Sequence, residues 1–426
     1  MADTSSMPDR PEGGPSESQA TTSQGAQNMM RRPLQGIRVV DFTHVLAGPY
    51  CTTILADLGA DVVKIERRGV GDVCRQAEPF RKGQSYYFAG LNRNKRSVAL
   101  DLKHDSGKHA VEELIKQADV VVENFRPGTL ETLGLGYDRL RELNPRLIVC
   151  SISGFGQSGP LRNQASYDLV AQAMTGIMSL TGEPGRPPVR AGMPIGDILT
   201  GVYGALSVAS AVIGREKSGR GCVIDLSLFD SLIATFPHLA TRYLGDGDLF
   251  GPVGSGDPST VPWGAFPAAD GYITIAVYGD HFWPPLCRCI GRPELAEDAG
   301  LIANADRVQR REEIDSLLGE ALKGKTLAEW CEIFAAAGIP HGPVLSMDAA
   351  LDHPHTRARG LIIELEHEHC GSIKTVGTPI NIDGELISAS AKAGPMLGEH
   401  TEQVLKELRY DDAMIARLRA EGVIEA

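Results

Sequence analysis

The sequence predicts an α/β protein: a parallel sheet with helices on both faces, and a smaller α+β domain set into the chain. Three observations predict it. From Leu34 onward, short β-branched runs alternate with stretches of helical spacing, as βαβ units do. A Gly/Pro-rich stretch, Gly245 to Pro267, breaks that rhythm before a new strand begins. With 426 residues, 42% of them hydrophobic, the chain has apolar material for two cored domains.

Taken in order, Ile37 to Phe42 is the first apolar run, and a helix follows from Gly48-Pro49. Cys51, Ile54, Leu55 and Leu58 recur there at helical spacing, Pro49 suits the first helical position, and Gly59 ends the helix. Strands are expected at Asp61 to Glu66, Ser97 to Leu102, Asp119 to Glu123, Arg146 to Ser151 and Cys222 to Leu226. Helices are expected at Lys108 to Gln117 and Ile198 to Gly214. A strand at Tyr272 to Val277 and helices over Val308 to Leu322 and Thr326 to Ala337 belong to the second domain. The last helix opens on a capping-box pair, Thr326 and Glu329. The expected division is a large domain over 34–230, a small domain with its linkers over 231–344, and a return to the large domain over 345–426. No internal repeat is visible.

The chain holds 42 Lys+Arg against 54 Asp+Glu, a formal charge of -12, which disfavours nucleic acid as a partner because that affinity comes from cations displacing counterions. No membrane partner is expected either: the longest candidate run, Ile198 to Gly214, is dotted with glycine and stops at Arg215. Eight cysteines without a CxxC pair read as reduced thiols, so the expected compartment is cytoplasmic. Residues 1–33 have the Ser/Gly/Gln/Thr/Pro composition of a disordered tail. Asp3, Asp9, Glu12 and Glu17 set it apart from an Arg-rich presequence, and Met29-Met30 offers an alternative start.

Generic motifs carry little. Gly154-Phe-Gly156-Gln-Ser-Gly159 fits GxGxxG after a strand, but Pro160 and a polar stretch follow where a dinucleotide site needs a helix. There is neither a GxSxG elbow nor a phosphate-binding P-loop. Glu366-His-Glu-His-Cys370 would put His367 and His369 on one strand face, either as metal ligands or as a solvated edge; no metal is assigned. Cys287-Arg-Cys289 reads as core. The charge pattern says more. From Lys64 to Lys103 there are ten basic residues and four acidic ones, against the trend of the chain, so either an anion binds there or the stretch is a solvated basic face.

The run Val39-Val-Asp-Phe-Thr-His-Val-Leu-Ala-Gly-Pro-Tyr-Cys51 resembles the opening of the family III CoA-transferases (CaiB/BaiF type). Asp61-Val-Val-Lys-Ile-Glu-Arg-Arg-Gly-Val-Gly-Asp72, Asn92-Arg-Asn-Lys-Arg-Ser97, Val122-Glu-Asn-Phe-Arg-Pro-Gly128, Ser153-Gly-Phe-Gly-Gln-Ser-Gly-Pro160 and Leu397-Gly-Glu-His-Thr401 follow in the family's order. The resemblance implies a Rossmann-like large domain, a small domain reached through linkers, and a homodimer of interlocked rings. It implies acyl-CoA and a small carboxylic acid as substrates, with the CoA thioester bound as substrate and no permanent cofactor. Contacts to CoA are implied for Val45 and Ala47 through backbone, and for Arg67, Asn94, Leu100, Lys103, Asn124 and Phe125. Arg67 and Lys103 are the phosphate candidates, while Thr132 stands where the formyl-CoA branch has a further Arg. Packing is the alternative account of Phe125 and Leu100.

The family's nucleophilic aspartate is matched by Asp197 in Gly196-Asp197-Ile-Leu-Thr-Gly201. Read alone, this is an N-cap, and the two readings agree if the helix dipole keeps the carboxylate ionised. Gly254 and Gly256 resemble the family's active-site loop in position. Tyr167-Asp168 also lines the expected site; the racemase branch has His at the position of Tyr167, and a phenol is a poor neutral-pH proton shuttle. Transfer is therefore expected over epimerisation. The pattern most resembles succinyl-CoA:dicarboxylate enzymes, with formyl-CoA or carnitine-type transfer as runner-up; a racemase or a non-catalytic CoA-binding protein would be the rivals. Arg75, Arg93 and Arg190 are the candidates for an acceptor's distal carboxylate.

Overall fold

The structure is a computed structural model and describes residues 32–425. The expected tail, but for Arg32 and Pro33, and the Met29-Met30 pair lie outside the described residues. Two compact units emerge: one runs to Ser151 and adds Gly201–Ile224 and Gly360 onward, and the other comprises Ile152–Thr200 with Asp225–Arg359.

The first unit is built on β1 (Arg38–Asp41), α1 (Ala47–Asp57), β2 (Asp61–Arg67), β3 (Lys95–Leu100), α2 (Asp105–Lys116), β4 (Val120–Glu123) and β5 (Ile148–Ser153). With a later strand, these form a six-stranded sheet in the order β3-β2-β1-β4-β5-β6, β6 being Val223–Ser227. Val40 lies beside Val63 and Val121, and Val121 beside Val149, all in parallel register. Such strands are buried on both faces, which is why they read as continuous β-branched runs. Val40, Val63, Val98, Val121 and Val149 pack against Val111, Leu114 and Ile115 of α2 and against Val404, Leu405, Ile415 and Leu418 from the end of the chain.

The second unit holds α3 (Asp168–Met174) and the start of α4 (Ile195–Ser218). It also holds an antiparallel sheet of β7 (Trp263–Pro267), β8 (Tyr272–Ala276) and β9 (His341–Pro343). Its core gathers Ile273, Ile275, Trp283, Leu318, Trp330 and Phe334. The Thr326–Glu329 capping box is formed, and Cys287 is buried in this core as expected. The helix expected over Val308 to Leu322 is two helices, Asn304–Gln309 and Arg311–Leu322. Arg310 between them leaves helical geometry (φ -108°, ψ 26°), and its guanidinium bonds Asp298 and Glu313.

The helix α4 is longer than expected and, by length and composition, long and apolar enough to cross a membrane. Ala205, Val208 and Val212 on one side are buried, whereas Val202, Tyr203, Leu206 and Ile213 are exposed. Its outer face is thus apolar, the reverse of an ordinary surface helix.

Candidate active site

Asp197 lies in the first turn of α4, with Gly196 before it. The N–H of Gly196 donates to Asp168 Oδ1 at 2.7 Å, and Gln172 Nε2 donates to Asp168 Oδ2 at 2.6 Å. Gln172 Oε1 in turn accepts the N–H of Ala191 at 2.9 Å. Asp168 and Gln172 are four apart on α3 and therefore share one face. Together they pin both ends of the segment that leads into Asp197. Glycine fits closely at 196, since a Cβ there would lie 2.9 Å from Asp168 Oδ1 and 3.1 Å from Leu232 and would press on the carboxylate that accepts its N–H.

The Asp197 carboxylate itself has no hydrogen-bond or ion-pair partner among the described residues. The fully buried carboxylates differ: Asp41, Asp57, Glu66, Asp72, Glu123 and Asp168 all accept bonds. Burial, and then the charge of Asp168, push Asp197 up to about 7. This corrects the expectation of a carboxylate kept ionised by the helix: desolvation and a like charge outweigh the dipole here. Asp197 is also inside the helix rather than at its N-cap, and Thr200 Oγ1 bonds back to the Gly196 carbonyl at 2.7 Å.

Tyr167 is 74% exposed, beside buried Asp168. Gly254, at φ +63°, donates its N–H to the Gly182 carbonyl at 2.8 Å, and that of Gly256 goes to Val253 at 3.0 Å.

The residues expected to meet CoA fall in the first unit, and all but Asn94 lie at or just beyond the carboxyl ends of its strands, where open α/β sheets bind ligands; Asn94 precedes β3, at the amino end of the sheet. Arg67 ends β2 directly beside Leu100 at the end of β3, and Lys103 follows three residues on. The side chains of Arg67 and Lys103 are exposed and have no partner among the described residues. Leu100 and Ala47 are buried; Leu100 belongs to the sheet core, and its carbonyl accepts the N–H of Arg68 at 3.3 Å. Asn124 spends its amide on the turn after β1, accepting from His44 N at 2.9 Å and donating to His44 O at 2.8 Å. Phe125 packs against the His44 ring at a tilt of 35°, centroids 5.5 Å apart, and its N–H goes to Glu123. Asn94 adopts φ 61° and is tied to Asp57 and Lys392. Asn124 and Asn94 thus act as staples in this structure.

Val45 adopts φ 69°, a left-handed conformation that costs a β-branched residue about 1–2 kcal/mol. Asp72 and Lys64, which hold it, and Gln172, which supports Asp168, escaped sequence reasoning; only the Gly-Val-Gly-Asp72 motif offered a signal.

Much of the basic excess is internal. Arg75 forms a bidentate pair with Glu66 and lies 3.7 Å over the Phe88 ring, and Arg93 is buried on Asp57. Arg190 remains exposed, with one nitrogen on the Ala191 and Gly192 carbonyls. The strand carrying His367 ends there and His369 lies in the turn beyond, so the two do not share a strand face. No metal-ligating group occurs among the described residues.

A carboxylate without donors at the head of a helix is suited to attack an acyl carbon. The model of CoA-transferase family III matches residues 34–401. The succinyl-CoA:glutarate CoA-transferase of Homo sapiens is 37% identical over 396 residues, covering 92% of this chain and 90% of that one. The acetyl-CoA:oxalate CoA-transferase of Acetobacter aceti is 38% identical, covering 89% and 97%. A crystal structure of a CaiB/BaiF family protein from Brucella suis superposes with a TM-score of 0.79 at 36% identity, over 88% of this chain and 99% of that one. The chain belongs to CoA-transferase family III and is a CoA-transferase.

Proposed function

We propose that this enzyme carries CoA from succinyl-CoA to a dicarboxylate through a thioester on Asp197. The observation that carries the reading is the partly buried Asp197 carboxylate, held by its backbone but free of donors that would blunt its lone pairs. Its oxygen attacks the donor's thioester carbon, expelling CoA thiolate and leaving a mixed anhydride. The thiolate then attacks the Asp197 carbonyl carbon, which forms aspartyl-CoA and releases the donor acid. The acceptor carboxylate runs the two steps in reverse, so atoms and charge balance without a cofactor. Amide N–H groups stabilise the tetrahedral oxyanions. For Gly254 or Gly256 to supply one, that loop exchanges its bonds to Gly182 and Val253.

CoA binds with its phosphates on Arg67 and Lys103. A dicarboxylate acceptor is supported by the relatives named for glutarate, and we assign its distal carboxylate to Arg190, because Arg75 and Arg93 are spent on Glu66 and Asp57. Tyr167, exposed where a racemase holds His, favours transfer. We also propose a homodimer in which a second copy covers the exposed Val202, Leu206 and Ile213 of α4; sedimentation against the 45.6 kDa chain mass decides it. The substrate reading is tested by a panel with succinyl-CoA as donor and C2 to C6 mono- and dicarboxylates as acceptors. Glutarate or another C4 to C6 diacid is expected to be the best acceptor, and activity confined to oxalate or monocarboxylates contradicts it.

A further inference from the structure

Val45 presents an unusual situation: the sequence puts a β-branched side chain where glycine would adopt φ 69° freely. The conformation is therefore imposed from outside. Asp72 Oδ1 accepts the N–H of Val45 at 3.2 Å, and Cys74 Sγ meets its carbonyl at 3.1 Å. Asp72 is buried, with Oδ2 3.1 Å from Lys64 Nζ and its own N–H on Glu66 at 2.9 Å. Lys64, fully buried, donates to the Thr43 carbonyl at 2.5 Å. Thus Lys64 on β2 and Asp72 and Cys74 in the loop that follows it grip the turn after β1 at the Thr43 carbonyl and at the N–H and carbonyl of Val45. Strain of this kind persists only where surrounding bonds over-determine it, and an observed outlier points to a use.

We propose that Asp72, anchored by Lys64, is a positioning residue for acyl-CoA, holding the Thr43–Val45 turn in the backbone form that receives the coenzyme. A carboxylate is needed because Oδ1 takes two N–H groups, those of Val45 and Cys74, while Oδ2 faces an ammonium that an amide NH2 would repel. The proposal rests on the reading that CoA meets Val45 and Arg67.

The test compares Asp72→Ala, Asp72→Asn, Val45→Gly and the Asp72→Ala/Val45→Gly double variant in the full chain, with succinyl-CoA as the varied substrate. Asp72→Ala is expected to raise the KM for succinyl-CoA about tenfold with kcat within about threefold, the signature of lost binding geometry. Glycine at 45 adopts the turn unaided, so the double variant is expected to recover most of that KM. A merely structural Asp72 would give no such rescue, and a double variant no better than Asp72→Ala overturns the proposal. If Asp72→Ala fails to fold, Asp72→Asn with and without Val45→Gly is read in the same way. Arg67→Ala separates the two layers. A raised KM for Arg67→Ala beside an unchanged one for Asp72→Ala overturns the positioning role alone, whereas unchanged KM in both overturns the CoA site itself.

Discussion

Asp197→Asn is expected to lose CoA transfer by about 10⁴-fold or more, measured as thioester exchange between succinyl-CoA and glutarate, because an amide cannot form the anhydride. The same variant is expected to be the more stable protein above pH 7. Asp197 is raised in the folded state to about 7 from an ordinary 3.8. Its ionisation therefore erodes stability as pH rises from about 4 to 7, and the full cost is present above 7. A neutral Asn removes that cost, worth about 1–2 kcal/mol once solvent screening is allowed for, and should raise Tm by a few degrees at pH 8 but not at pH 4. A variant equally active, or one less stable at pH 8, contradicts this. The trade of stability for a reactive group is common at active sites.

Asp168 gives the second large effect. Attack requires the Asp197 carboxylate ionised, so kcat/KM should climb with pH through about 7. After burial, the charge of Asp168 is the cause holding Asp197 up. Asp168→Asn keeps an oxygen for the Gly196 N–H and removes the charge, at the loss of the bond from Gln172 Nε2, so the acid limb should move to lower pH with transfer at pH 8 lowered less than in Asp168→Ala. Asp168→Ala frees the Gly196 backbone as well, and is expected to cost about 10²-fold in kcat, the scale of a misplaced reacting group. An acid limb that stays in place in Asp168→Asn would show that Asp168 does not set the titration of Asp197.

The sheet was legible because parallel strands buried on both faces leave unbroken runs such as Val39-Val40 and Val120-Val121-Val122, with helices of 3.6 period between them. Helix ends were less so; Arg310 interrupts a periodic stretch through a local departure that spacing does not record. Asp197 was legible only as part of a family motif, since Gly-Asp ahead of an apolar run is also how a plain helix begins. Of the clamps, Asp72 and Asp168 were legible only as members of motifs, and what they grip was not. Asp168 reaches Gly196 across 28 residues and Asp72 reaches Val45 across 27, and nothing local marks either pair. The basic cluster misled in degree: Lys64, Arg75, Arg93, Lys95 and Arg96 each pair with a carboxylate, a fact set by folding rather than by composition.

The most direct measurement is the intact mass of the protein, followed by peptide mapping, after incubation with succinyl-CoA and no acceptor. The account predicts a gain of one CoA less water on the peptide containing Asp197, discharged on adding glutarate. A protein that transfers CoA steadily while never carrying that mass, or that carries it on another residue, contradicts it.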